Sequence, residues 1–484
     1  MQHGMTVGNW LEQAITAHDA GDFAGAVAAY RQFLSLTPGN IDVMTLLGDA
    51  LQQSGDYPGA IAVYADALAL QPENAVLQNN TGVALRHQGY LADALDCFLN
   101  AINLAPGYVD AWLNIGSVLN MQGRLEHAAT AFNRVLDLEP QNPKVHVGLG
   151  NTLSRAGLFD AALTSYETAL LLEPGNNDAR WGRGLVNLSL GQWDTAWQDY
   201  ELRFRMQAAY PFAYSRPHWR GEGFADKTLL IHDEIGYGDV FQFSRYFPRV
   251  KQRGGRVLLE VKPGLKRLFE GFPGVDEVRE RGSQPQPESD FDLLVPLESL
   301  PAVFATRTDS IPPLVAPTLP DELLAAWQER LSSLPGRKVG IVWAGNPNSA
   351  YDVQRSMQLS ELLPLLRAAG DCSFVSLQVG TAAEQMQQSD VAIFDASPWL
   401  TDFAETAAAI RSLDRVITVE TSVAHLAGML GTPVWVMLTK VPAWRWGVEG
   451  DNTPWYPAMR LYRQSETGDW SNVLDAVAKD LGAI

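Results

Sequence analysis

Small apolar and aromatic residues recur on a fixed beat along the first 200 residues. Ala26, Ala60, Ala94, Ala128, Ala162 and Ala196 are followed four positions later by Tyr30, Tyr64, Phe98, Phe132, Tyr166 and Tyr200. The alanines form the small side of a contact between helices, and the aromatics fill the gap between neighbours. Gly48, Gly82, Gly116, Gly150 and Gly184 run in register where two helices approach closely, while Gly21, Gly55, Gly89, Gly123, Gly157 and Gly191 end the first helix of each unit. Such an end needs a left-handed cap, which glycine adopts cheaply. Pro38, Pro72, Pro106, Pro140 and Pro174 punctuate the pattern every 34 residues, the period of a helix-turn-helix solenoid. After Tyr200 the beat stops. Short apolar runs at 228–232, 256–261 and 291–295 then alternate with helical stretches such as 240–253, the rhythm of parallel strands with crossover helices. The proline-rich stretch 310–320 predicts a hinge or linker, and further strands follow at 338–343, 374–379, 391–394, 415–419 and 433–438.

The repeated columns resemble the tetratricopeptide repeat over 7–202, as five full units and a sixth that keeps its columns through Tyr200. The predicted fold class is therefore an N-terminal all-α solenoid followed, after a linker at 203–226, by two α/β lobes at 227–309 and 338–484, joined by a second linker at 310–337. Two such lobes place a cleft at the carboxyl ends of both sheets, where open α/β folds bind ligands. A solenoid offers a concave surface but no chemistry of its own. Asn80 and Asn114 occupy one repeat position. Two readings stand for them: amides that grip the backbone of an extended peptide in the groove, or polar residues on a solvated helix face.

Composition narrows the partners. The formal net charge of -19 opposes binding to a phosphate backbone, so nucleic acid is not an expected partner. No basic start leads into an apolar stretch, and no run approaches the roughly 18 apolar residues of a membrane span, so the expectation is a soluble, cytoplasmic protein. Cys97 and Cys372 lie far apart and predict core thiols rather than a disulfide or metal site.

Three loops at strand ends carry candidate chemistry. In His232–Asp239, Gly236 and Gly238 let backbone approach a bound group, with Asp239 at or near a helix N-terminus; a tight turn with Asp239 as N-cap explains the pattern equally. In 415–438, a buried strand, a polar turn and a short helix place Thr421 and Ser422 as capping residues and aim free N–H groups at the cleft, with His425 one turn further on. His425 fits either a phosphate contact or a bond to a nearby carbonyl. The loop after Trp343 holds Asn346, Asn348, Ser349 and Asp352, with Arg355 and Ser356 introducing a helix. A cation at a helix start conflicts with the macrodipole, and a bound anion resolves that conflict.

The phrases EIGYGDVFQFSRYFP, VKPGLKRLFEGFPGVDEV, KVGIVWAGNPN, RSMQLSEL, TVETSVAHLAGMLGTPVWVML, PAWRWG and TPWYPAMRLYRQ resemble, in kind and order over about 217–470, the C-terminal region of bacterial tetratricopeptide-repeat glycosyltransferases. That region is similar to lipopolysaccharide heptosyltransferases of the two-Rossmann GT-B type and to O-linked protein glycosyltransferases. The resemblance implies a nucleotide-sugar as substrate, no metal, and an acceptor protein held by the repeats. It implies Asp239 as general base for the acceptor hydroxyl, Arg355 towards the donor diphosphate, and Thr421, Ser422 and His425 around the donor sugar and phosphates. Glu420 departs from the aspartate usual in this turn and moves the carboxylate by more than about 1 Å. Thr439, Lys440 and Ala443 depart as well. The implied reaction is inverting displacement at the anomeric carbon, with Asp239 taking the proton and Arg355, His425 and the helix start stabilising the leaving diphosphate. The D-x-D match Asp290-Phe291-Asp292 straddles a strand start and is set aside. Trp444, Trp446, Trp455 and Tyr456 fit either stacking on a base or sugar, or packing between the last strand and a closing helix at 470–481. The alternative function is a non-catalytic adaptor whose degenerate α/β half retains only its fold.

Overall fold

A computed structural model describes residues 7–203, 211–234, 236–348 and 352–482, so Ser349 and part of the 203–226 linker lie outside the described residues. The chain divides into two compact units, 1–182 and 183–484.

In the first unit, helices pair antiparallel on the predicted beat: Val7–Asp19 with Phe23–Leu36, Ile41–Gln53 with Tyr57–Leu70, and so on to Phe159–Leu172. Side-chain caps start several of these helices. Asp22, Asn40, Asp56 and Asn74 each accept a hydrogen bond from a backbone N–H in the first turn, worth about 1 kcal/mol apiece. Gly55 and Gly89 end their helices at φ of 85° and 83°, as the columns require. The interior glycines are a packing requirement: a Cβ on Gly82 would lie 2.6 Å from the Phe98 ring. Gly82→Ala is therefore expected to lose about 1–3 kcal/mol in urea unfolding of the full chain. Gly107→Ala, where a Cβ meets nothing within 4 Å, is the near-neutral comparison.

The two repeat asparagines do not stand free. Asn80 Nδ2 donates to Asp49 Oδ1 at 2.9 Å, Asn79 Nδ2 to Asn80 Oδ1 at 3.2 Å, Asn114 Nδ2 to Asn79 Oδ1 at 2.9 Å, and Arg86 to Asn114 Oδ1 at 3.3 Å. Tyr64 Oη donates to the same Asp49 oxygen at 2.6 Å. These bonds form a ladder running along the solenoid from one repeat to the next.

The repeat columns continue through helix Asn177–Ser189 into helix Trp193–Tyr200, whereas the compact units divide between Gly182 and Arg183. The second unit thus begins inside the sixth repeat. Within it, Trp193 stacks on Trp455 with ring centroids 5.2 Å apart, and Trp197 and Tyr200 meet Trp444 edge-on at 5.6 and 5.9 Å. Of the aromatics for which packing by the closing helix, Ser471–Gly482, was one of two readings, Trp444 and Trp455 pack against the last repeat helix and Trp446 packs on His425 and Tyr456.

Two all-parallel sheets follow. The first has the order β3-β2-β1-β4, from β1 (Thr228–His232), β2 (Arg256–Val261), β3 (Glu277–Glu280) and β4 (Leu293–Pro296). The second has the order β10-β9-β8-β5-β6-β7, from β5 (Arg337–Val342), β6 (Cys372–Ser376), β7 (Ile393–Asp395), β8 (Arg415–Val419), β9 (Val434–Leu438) and β10 (Met459–Arg463). Strand order reverses between β1 and β4 in one sheet and between β5 and β8 in the other, and crevices open at such switch points. The strands near 291, 374 and 391 shift by one to three residues from the apolar runs. The helical stretch 240–253 resolves into Tyr237–Phe243, a 3-10 turn and Phe247–Lys251. The inter-lobe linker is irregular over 311–320 and again over the short turn at 331–336. Helix Asp321–Arg330 within it is docked, its buried Trp327 donating to Glu405 Oε2 at 2.8 Å. Cys97 and Cys372 are half-buried free thiols, and no helix among the described residues is long and apolar enough to cross a membrane.

Candidate functional site

The loops after β1, β5 and β8 converge on one cavity of about 800 Å³. Gly236, Gly238, Asp239, Asn346, Arg355, Glu420, Thr421, Ser422 and His425 all line it. The fold brings them together because each follows a strand beside a switch point, so the carboxyl ends of two sheets deliver them to one place.

Asp239 is the third residue of helix Tyr237–Phe243 rather than its N-cap, and its Oδ2 accepts from the Gly236 N–H at 3.1 Å. Gly238 leaves room for a neighbour: a Cβ there would lie 2.7 Å from Cδ2 of His425. His425 is 6% exposed, and its Nδ1 shares a hydrogen bond of 2.9 Å with Tyr456 Oη, under the tilted ring of Trp446 at 4.8 Å. Burial, reinforced by Arg445, Arg245 and Arg355, holds the imidazole well below its ordinary pKa of 6.5, so it is neutral at pH 7. A neutral ring donates from one nitrogen only. Where Tyr456 Oη donates to Nδ1, Nε2 carries the hydrogen on the ring edge beside Gly238; where Nδ1 donates to Oη, Nε2 is an acceptor.

Thr421 holds the N-cap position of helix Ser422–Met429, but its side chain makes no capping bond and pairs instead with Thr418 Oγ1 at 3.0 Å. The expected side-chain cap is thus absent, and the first-turn N–H groups keep no side-chain acceptor from Thr421. Glu420 sits half-buried just before it. Desolvation raises its carboxyl above the ordinary 4.5, and the guanidinium of Arg355 pulls it back. Arg355 does not start a helix. It ends the single turn Asp352–Arg355, where a cation suits the dipole, and its Nε donates to Asp352 Oδ1 at 3.2 Å. The helix that follows, Leu359–Ala368, is capped by Gln358. The conflict with the macrodipole therefore disappears, and what commends Arg355 is its place in the cavity wall. Gly345 passes close against it: a Cβ there would lie 2.8 Å from an Arg355 nitrogen. Asn346 is exposed at the cavity mouth, with Oδ1 accepting from Asn348 N–H at 3.1 Å.

Other residues join the cavity without having been singled out for it. Arg445 bonds Asp239 Oδ1, Lys262 and Gln378 contribute to the lining, and Gln378 Oε1 holds the loop after β5 by accepting from the N–H groups of Trp343 and Ala344. The D-x-D residues lie elsewhere, at the amino ends of the strands. Asp292 accepts from Thr228 N–H at 2.8 Å and Asp290 from Arg279 at 2.6 Å. Lys440 pairs with exposed Glu466 at 3.0 Å, which makes it a surface lysine.

Beside the cavity, β1 and β4 end on a buried ionic knot. Arg203 donates to Glu234 Oε2 at 2.9 Å, to Glu201 Oε1 at 2.6 Å and to Ser299 Oγ at 2.6 Å, and Glu298 Oε1 accepts from Glu234 N–H at 3.2 Å. Burial pushes the Glu298 carboxyl up to about 8, with Glu234 and Asp239 adding to it and Arg203 opposing. The folded state holds a proton that the unfolded chain releases near 4.5, so this contribution is complete below pH 4.5 and is lost as pH rises through about 8. Glu298→Gln is expected to flatten the decline of the melting temperature between about pH 5 and pH 8. An unchanged slope would show that Glu298 is ionised at neutral pH.

Residues 17–80, 81–143 and 147–213 match tetratricopeptide-repeat families, so the N-terminal solenoid is built of these repeats. The chain is similar to Protein FlbA of Caulobacter vibrioides, 29% identical over 288 residues that cover 54% of this chain and 48% of FlbA; it spans about half the length of that curated relative. Among solved structures, MamA is 24% identical, with a TM-score of 0.32, 35% of this chain and 92% of MamA covered. A tetratricopeptide repeat protein from Parabacteroides merdae is 18% identical, with a TM-score of 0.37, 41% of this chain and 79% of that one covered.

Proposed function

We propose that the α/β unit is a glycosyltransferase of the two-lobed GT-B type, moving a sugar from a nucleotide-sugar to an acceptor, most naturally a protein held by the repeats. The observation that carries this reading is the convergence of Asp239, Arg355, Glu420, Ser422 and His425 on one cavity at the carboxyl ends of two parallel sheets. An aspartate faces cations and helix-start N–H groups there, the arrangement that inverting displacement of a diphosphate needs. Asp239 receives the proton of the acceptor hydroxyl, while Arg355, neutral His425 and the helix Ser422–Met429 balance charge on the leaving diphosphate. The repeats support the other half of the proposal, because tetratricopeptide repeats bind proteins along their concave face.

A second reading is favoured by a specific observation: Asp239 is tied to Arg445, and Glu420 sits desolvated where a shorter carboxylate is usual. In that reading the α/β unit binds without turnover and the protein is an adaptor. Calorimetry of the full-length protein against UDP-, GDP-, CDP-, ADP- and CMP-sugars, with Arg355→Ala and His425→Ala alongside, separates the two. Binding of one nucleotide-sugar, weakened by both substitutions, supports the transferase. A folded protein that binds none supports the adaptor.

A further inference from the structure

We propose that Arg445 is the cation that takes the donor's diphosphate, and that its pairing with Asp239 keeps the site at rest until it does. This rests on the transferase reading above. Arg445 and Asp239 lie 206 positions apart and meet in the wall of the same cavity. Their side chains are 15% and 9% exposed, so the pair is largely withdrawn from water yet still opens onto the cavity. Arg445 lies over the ring of Trp444 at 4.8 Å to the centroid, and Trp444 is itself buried. A guanidinium stacked in this way keeps its plane while exchanging one oxygen partner for another.

Asp239 has both oxygens engaged, Oδ1 by Arg445 and Oδ2 by the Gly236 N–H. An acceptor hydroxyl that comes to Oδ1 must share that oxygen with the Arg445 guanidinium, which competes for the electron density that takes the proton. Gly236 is bound to the same loop and holds its place. Arg445 belongs to the opposite lobe, and a diphosphate in the cavity offers it more negative oxygen than one carboxylate does. Lys262, Arg355 and the start of helix Ser422–Met429 line the same space and draw the anion in. Once Arg445 turns to the diphosphate, Asp239 Oδ1 is released. The acceptor oxygen then bonds to the anomeric carbon as its proton passes to Asp239. The bond from that carbon to the phosphate oxygen breaks, and its electron pair leaves with the diphosphate, where Arg445 now stands. Donor binding thereby arms the base, and the donor binds before the acceptor.

Isothermal titration of the full-length protein with inorganic pyrophosphate and with UDP, GDP, CDP and ADP tests this. For whichever probe binds wild type, Arg445→Gln is expected to weaken binding roughly tenfold or more, and Arg445→Lys to recover part of the loss. Asp239→Asn is expected to tighten binding several-fold, because Arg445 no longer has a competitor. That gain is expected to vanish in Asp239→Asn/Arg445→Gln. A gain that persists in the double variant reflects removal of a negative charge alone and overturns the proposal, as does no gain from Asp239→Asn or undiminished binding by Arg445→Gln. Far-UV circular dichroism checks each fold; should Arg445→Gln unfold, the Arg445→Lys and Asp239→Asn titrations decide. If wild type binds none of the probes, the transferase reading itself fails.

Discussion

Replacing Asp239 by Asn is expected to lower sugar transfer by roughly 10²- to 10⁴-fold, the usual worth of a positioned general base. The effect should fall on turnover, because Asp239 receives the proton and does not hold the donor. Asparagine preserves the shape of the helix start but cannot take a proton from an incoming hydroxyl. Single-turnover transfer from the nucleotide-sugar that binds wild type is the measurement, with donor affinity followed in parallel. Loss of turnover with donor binding kept or tightened marks a base. Turnover near wild type assigns proton acceptance to another group, and Glu420, facing the same cavity with a carboxyl raised by burial, is then the residue to replace next.

Trp455→Ala is expected to give the largest loss of stability, about 3–5 kcal/mol, seen as a fall in melting temperature of the α/β unit. Trp455 is 1% exposed and meets Trp193, Trp444 and Phe243 at 5.2, 6.1 and 5.9 Å, with Arg245 over its ring at 5.6 Å. Its removal leaves a void among large, stiff rings that cannot collapse into it. The next residue, Tyr456, holds His425, so a shift of the backbone into the void would be felt at the imidazole. Loss of transfer at a temperature where the variant remains folded would reveal that second effect. A loss under 1 kcal/mol would mean that the ring cluster is loosely packed.

The solenoid was legible in the sequence almost residue for residue, because one contact between a glycine and an aromatic is repeated in four successive units, Gly48–Tyr64 to Gly150–Tyr166, and periodicity exposes it. The central strands were legible too, since strands buried on both faces read as unbroken apolar runs. Strands β3 (EVRE) and β10 (MRLYR) escaped notice because they lie at sheet edges, where charged side chains remain in solvent. The site was legible to the extent that it follows strand ends: the glycines, Asp239, the turn at 420–422 and His425 are ordered by local chain alone. Arg445 was not, since only the closed fold sets it opposite Asp239. The reading of Arg355 went astray at a boundary, since one helical turn ends there and the next begins four residues later.

The helix Trp193–Tyr200 keeps the spacing of a repeat while its aromatic rings belong to the α/β unit. A fragment cut at 203, where the repeat columns stop, would strip three large rings from Trp444 and Trp455 and leave a greasy scar on the domain it was meant to isolate. One cut at 183 keeps them. By spacing the sixth unit counts as a repeat, but by what its rings rest on it is the first wall of the α/β unit, so a boundary drawn by counting columns and one drawn by packing fall some twenty residues apart.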